Sequence, residues 1–266
     1  MRLKDIETFL FDMDGTVYLG EQLLPGALEC FETLKDKGCN FYFLTNNSSR
    51  HAGFYASKLR KMGLSWCTPN HIITSGEACV FHLQRIKPQA RVFLLGTREL
   101  EMEFLRGGFT LVQDDPDFVV LGFDKTLTYR KLDRACAFIL QGTPFFATHP
   151  DFACPGDERP LLDMGCIIKA IEAFTGKSPR IFGKPYPEMI EYALWRTQGH
   201  KETMAMIGDR LYTDIAMGKK AGITTILVLT GETRIEDVSA SSWQPDLVFP
   251  SLKEFQETLT KEMSQE

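Results

Sequence analysis

The chain has 266 residues, 44% of them hydrophobic and 24% charged, with a formal net charge of -5. That is enough apolar material for a core without disulfide or metal staples, in one large domain or two modest ones. The acidic balance disfavours an extended nucleic-acid surface, which needs a basic face, but leaves room for a small phosphorylated ligand held by a few local groups.

Seven cysteines, at 30, 39, 67, 79, 136, 154 and 166, include no CxxC pair. That reads as reduced, mostly buried thiols. The first residues mix charges and lack an apolar signal core. No apolar run approaches the roughly 20 residues of a membrane span. A cytoplasmic protein with no membrane partner and no nucleic-acid partner is expected.

Taken in chain order, Thr8–Asp12 (TFLFD) is a short apolar run ending in a carboxylate, which predicts a buried strand. Leu28, Phe31 and Leu34 fall at helical spacing within Ala27–Lys37, closed by Gly38. Phe41–Thr45 predicts a second strand, Arg50–Met62 a helix ended by Gly63, and Ile72–Thr74 a short third strand. From about 82 to 179 a separate alternation sets in. Strands are expected there at Val92–Leu95, Phe118–Leu121 and Phe145–Ala147, with helices near Tyr129–Leu140 and Cys166–Phe174. The first rhythm then resumes, with a helix at Pro187–Thr197 carrying Pro in its first turn. A strand at Met204–Ile207 leads to Gly208-Asp209, a helix at Asp214–Lys220 stops at Gly222, and Thr225–Leu229 is a strand. Leu252–Glu266 reads as a polar surface helix with a fraying end.

The expected fold class is α/β: a Rossmann-like parallel sheet core made by 1–81 and 180–266, with a smaller α/β domain inserted at 82–179.

Three apolar strands end in reactive side chains, Asp12, Thr45 and Asp209. Ligands of open α/β sheets bind beyond the carboxyl ends of the strands, so these groups can converge. In Asp12-Met13-Asp14-Gly15-Thr16, two carboxylates point the same way before a glycine turn. Their repulsion calls for a cation or a shared proton, and magnesium suits such oxygen donors. A plain polar turn gives the same residues. Thr45-Asn46-Asn47-Ser48-Ser49 offers donors for a phosphate, or simple helix capping. Lys184, in Gly183-Lys184-Pro185, is either a solvated lysine or a charge-balancing cation. Asp209 lies where a metal ligand would emerge, and Asp214 is either a supporting acid there or a helix-dipole partner. Thr175-Gly176-Lys177-Ser178 lacks the first glycine of a P-loop. His51, His71, His82 and His200 show no metal or triad spacing.

DMDGT, TNN, GKP and GDRLYTD, in that order, resemble the four motifs of the haloacid dehalogenase superfamily. The long insertion resembles the large α/β cap of its NagD-like and 4-nitrophenyl phosphatase subfamily. The resemblance implies a magnesium-dependent phosphatase in which Asp12 is the nucleophile and Asp14 the general acid and base. It implies that Thr45 and Asn46 bind phosphate, that Lys184 balances charge, and that Asp12, Asp209 and the Asp14 backbone carbonyl hold Mg²⁺ with Asp214 nearby. His149 stands where relatives carry asparagine in Ala-Thr-Asn-Pro-Asp, at a position expected to contact substrate. A small phosphorylated metabolite is the expected partner, and a homodimer through the cap is an expectation too. The alternatives are a phosphotransferase or mutase of the same superfamily, for whose usual cap too few residues follow Thr16, and a non-catalytic phosphometabolite sensor.

Overall fold

Alternating apolar runs and helical stretches build two parallel sheets. The computed structural model describes residues 2–155 and 159–264. The chain forms two compact units, one from the residues up to Thr45, Gly53–Ile73 and everything from Pro185 onward, the other from Asn46–Ala52 and Thr74–Lys184.

The first unit is organised on a six-stranded sheet in the order Leu247–Phe249, Thr224–Val228, Met204–Gly208, Thr8–Asp12, Asn40–Thr45, Ile72–Thr74. Thr8–Asp12 pairs in parallel with Asn40–Thr45 on one side and with Met204–Gly208 on the other. The chain builds one flank first and the other only after the second unit. The strand order therefore reverses between Thr8–Asp12 and Met204–Gly208, which makes the carboxyl ends of these two strands a topological switch point.

Phe11 anchors the core beside this point, its ring 4.9 Å from Phe31 and 6.4 Å from Phe255. The C-terminal helix, Leu252–Met263, is not the polar surface helix expected. Leu252, Phe255 and Leu259 are fully buried, and Phe255 also meets Phe9 and Phe249. Their i, i+3, i+7 spacing is one apolar stripe, masked in the sequence by the Lys, Glu and Gln residues around it.

The second unit has a five-stranded parallel sheet in the order Arg180–Ile181, Phe145–Ala147, Phe118–Leu121, Arg91–Leu95, Thr110–Leu111. Tyr129–Leu140 and Met164–Thr175 cover one face with Ala135, Ile139, Ile168 and Ile171. Ser75–Ile86 and Arg98–Arg106 cover the other with Cys79, Leu83, Leu100 and Phe104. These last two helices were not among those expected. They explain why the division falls at Thr74 and Lys184 rather than at 82 and 179: helix Ser75–Ile86 and Phe182 bury their apolar surface on this sheet. Gly176 closes the helix before it in the left-handed conformation, φ +68°, so the Gly176-Lys177-Ser178 run is a helix end.

All seven cysteines are free, and Cys30, Cys67, Cys79 and Cys136 are buried. Among the described residues no helix is long and apolar enough to cross a membrane.

Candidate active site

In the first unit, Asp12 is the last residue of its strand and Asp209 follows Met204–Gly208 directly. Asp214 is brought back toward them by a π-helical turn over Leu211–Ile215, in which the Ile215 N–H bonds Arg210 O. The regular helix starts only at Ala216, two residues later than expected. Such wide turns recur at functional sites because they displace a side chain from the helical register. One carboxylate oxygen each from Asp12, Asp209 and Asp214 lies within 4.8 Å of the other two.

Asp209 is almost wholly buried and held from several sides. Its Oδ1 accepts the Thr16 hydroxyl at 3.3 Å, and its Oδ2 accepts the Glu232 N–H at 2.8 Å. Burial first, and then the charges of Asp12 and Asp214, push its carboxyl up to about 7, with the Glu232 N–H and Arg210 working the other way. The Arg210 N–H donates to Asp214 Oδ2 at 3.2 Å, and its guanidinium lies 3.1 Å from Glu232. Burial opposes the Arg210 charge, but Asp12, Asp209 and Asp214 hold its proton in place.

The Asp14 carboxylate is engaged elsewhere, its Oδ2 accepting the buried Tyr18 hydroxyl at 3.2 Å. The expected metal set was Asp12, Asp14 and Asp209, with Asp14 contributing through its backbone. The side-chain cluster is Asp12, Asp209 and Asp214. Three carboxylates at this spacing repel, and a mostly desolvated one carries charge only at a cost. Hard oxygen donors in such a set fit a divalent cation, which would relieve both. Thr45, buried, ends the neighbouring strand Asn40–Thr45 of the same unit.

The remaining expected residues lie in the second unit. Lys184 is buried, just beyond strand Arg180–Ile181. The Asn46 side chain, expected to bind phosphate, is spent on protein partners: its Oδ1 accepts the Lys184 N–H, and its Nδ2 donates to Lys184 O and to Asp151. His149, expected to contact substrate, is fully buried with Nδ1 3.6 Å from Asp151 and Nε2 3.7 Å from Asp163. It is enclosed by carboxylates of its own unit.

Sequence reasoning gave no role to Thr16, Tyr18 or Arg210. Thr16 and Arg210 lie inside the DMDGT and GDRLYTD runs, so their proximity in sequence to Asp14 and Asp209 was the available signal.

A doubly wound sheet with three carboxylates at its switch point is the layout of an enzyme site suited to a divalent cation. Residues 9–110 match the haloacid dehalogenase-like hydrolase family, and 181–255 match a second, HAD-hydrolase-like family. A 4-nitrophenylphosphatase from Thermotoga maritima is similar at 48% identity and TM-score 0.92, over 96% of this chain and 98% of that one. NagD from E. coli K-12 is similar at 31% identity and TM-score 0.89, over 96% and 98%. The acid sugar phosphatase of Staphylococcus aureus is 33% identical over 253 residues, which is 95% of this chain and 97% of that one. The chain belongs to the haloacid dehalogenase-like hydrolase family.

Proposed function

We propose that the protein is a magnesium-dependent phosphatase that hydrolyses small phosphomonoesters through an aspartyl-phosphate intermediate on Asp12. The observation that carries this reading is the convergence of Asp12, Asp209 and Asp214 at the carboxyl ends of the two central strands.

In this reading Asp12 attacks phosphorus in line while Asp14 gives a proton to the departing alcohol oxygen. Asp14 then takes a proton from the water that hydrolyses the aspartyl phosphate. Its two tasks need opposite protonation states in the two half-reactions. Asp12, Asp209 and Asp214 would hold Mg²⁺, with the Asp14 backbone carbonyl as the further ligand that the family resemblance implies. When bound, the ion supplies neutralisation of charge on the phosphoryl oxygens. Lys184 adds positive charge for the same purpose, and Thr45 donates a hydrogen bond to phosphate. Asp209 is kept in place for this by Thr16 and the Glu232 N–H. The substrate class is sugar phosphates, nucleoside monophosphates or similar metabolites, supported by the phosphatases named among the similar proteins.

The test is phosphate release from a panel of phosphometabolites and 4-nitrophenyl phosphate, with magnesium and with a chelator. Turnover should need the metal, and Asp12→Asn should lower it by several orders of magnitude. Near wild-type turnover in that variant would reject the assignment.

A further inference from the structure

We propose that Asn46 and Asp151 form a clamp that positions Lys184, so that Asn46 acts on the reaction through Lys184 and not by binding phosphate. The inference rests on the reading above for Lys184 alone.

The Asn46 amide pairs with both main-chain groups of Lys184. Oδ1 accepts the Lys184 N–H at 2.8 Å and Nδ2 donates to Lys184 O at 2.9 Å. This two-point pairing copies what a neighbouring strand would do, at a place where no strand continues. The second Nδ2 hydrogen goes to the Asp151 carboxylate, whose oxygens lie 3.1 and 3.0 Å away. A primary amide has two N–H donors, and both are spent. Its side chain therefore has no donor left for a phosphoryl oxygen.

The clamp is backed by buried groups. His149 Nδ1 accepts the Asp151 N–H at 3.4 Å, and its Nε2 lies buried 3.7 Å from Asp163, beyond hydrogen-bond distance. Asp163 in turn accepts the Met164 N–H at 2.6 Å and caps helix Met164–Thr175. Gly183 belongs to the same device. A Cβ there would stand 2.7 Å from Asn46 Oδ1 and 3.0 Å from His149 Cβ, and would collide with Thr148 O. Glycine lets the Lys184 segment come close enough to be gripped.

Aspartate at position 46 keeps the shape but cannot donate, and it sets a second carboxylate against Asp151. The experiment measures kcat and KM on 4-nitrophenyl phosphate for Asn46→Asp, Lys184→Met and the double variant. It also follows hydrogen exchange of the Lys184 amide in wild type and in Asn46→Ala, which removes the acceptor that aspartate would keep. Asn46→Asp should lower kcat about a hundredfold through displacement of the lysine, with KM changed less than about threefold. In the Lys184→Met background the further loss should shrink to under about threefold, since both changes remove one contribution. In Asn46→Ala the Lys184 amide, its acceptor gone, should exchange at least about tenfold faster. Asp151→Asn, which keeps an acceptor for Nδ2, should retain more turnover than Asp151→Ala. The clamp is overturned if Asn46→Asp raises KM and keeps its full effect in the Lys184→Met background, because Asn46 then touches substrate. If Lys184→Met turns over like wild type, the assigned role of Lys184 fails instead. Exchange then decides the clamp: a faster amide supports it and an unchanged one overturns it.

Discussion

Gly15 lies so close to Asp209 that a Cβ on it would stand 2.6 Å from Asp209 Oδ2. Its φ of +87° is also a conformation that only glycine adopts at little cost. The turn after Asp14 and the placement of the buried carboxylate are therefore one structural requirement. Gly15→Ala should lower unfolding free energy by at least about 1 kcal/mol. It should also raise the magnesium concentration for half-maximal turnover. Urea titration and a magnesium titration check the two parts separately. An unchanged magnesium response would mean that Asp209 tolerates the displacement and is not a ligand.

Thr16 tests the same carboxylate from the other side. Its hydroxyl donates to Asp209 Oδ1 at 3.3 Å, and the residue is fully buried. Thr16→Val keeps the shape and removes the donor. Hydrogen-bond partners of metal ligands are typically worth about 10- to 100-fold in metal affinity, and a loss in that range is expected. If magnesium activation does not move, the hydroxyl serves packing alone.

Asp209 gives the metal-free protein a pH dependence with a definite sign. Its carboxyl is pushed from an ordinary 3.8 to about 7, by burial first and then by Asp12 and Asp214. Between those values the native state keeps a proton that the unfolded chain has released. Unfolding free energy therefore falls as pH rises through this window, and the deficit is complete above about 7. With a chelator present, Asp209→Asn should gain about 2 kcal/mol on wild type between pH 5 and pH 8. Saturating magnesium should flatten the wild-type slope, because the ion takes the place of the proton. Urea midpoints across pH read this directly. A wild type that strengthens with pH relative to Asp209→Asn would contradict the placement of Asp209 among carboxylates.

The inner strands of both sheets were legible for a simple reason, whereas the two- and three-residue edge strands Leu247–Phe249, Thr110–Leu111 and Arg180–Ile181 were too short to show. Strands buried on both faces are continuous apolar runs, and TFLFD and MAMIGD break off at the residues that face the crevice. Helix Ser75–Ile86 carried a readable signal in the Thr74…Glu77 capping box, but its apolar residues cover too much of the surface to show a clear period. The roles of Asn46 and His149 left no local trace. Their partners, at 151, 163 and 184, are brought together only by the fold, and an asparagine reads the same whether its amide meets a ligand or a main chain. The π-helical turn is similar: it moves Asp214 by hydrogen-bonding that no residue type announces.

His149 now carries a stability prediction in place of a substrate one. It is fully buried between Asp151 and Asp163, and burial already holds the Asp163 carboxyl above its ordinary range. His149→Phe fills similar space but leaves the Asp151 N–H without its acceptor and takes the ring nitrogen away from beside Asp163. The expected cost is about 1–3 kcal/mol, the desolvation penalty of buried polar groups deprived of a partner. KM on small phosphomonoesters should stay within about twofold. A large rise in KM with unchanged stability would return His149 to the substrate.

Tyr18 separates the chemistry of Asp14 from its packing. The hydroxyl donates to Asp14 Oδ2 at 3.2 Å, Lys58 Nζ lies 4.2 Å over the ring, and the Gly15 N–H donates to Tyr18 O at 2.9 Å. Burial and the adjacent Asp14 raise the phenol well above its ordinary range, so it stays a neutral donor. It therefore fixes the direction of the carboxyl that, in the proposed mechanism, would give a proton to the departing oxygen. That proton matters little for 4-nitrophenolate, a stable anion, and much for an alkoxide. Tyr18→Phe should slow hydrolysis of an alkyl phosphate about tenfold, a fraction of what general acid catalysis supplies in full. On 4-nitrophenyl phosphate the same variant should lose less than about threefold. Equal losses on both substrates would show that the hydroxyl supports the turn and not the proton transfer, because a packing defect does not distinguish one leaving group from another.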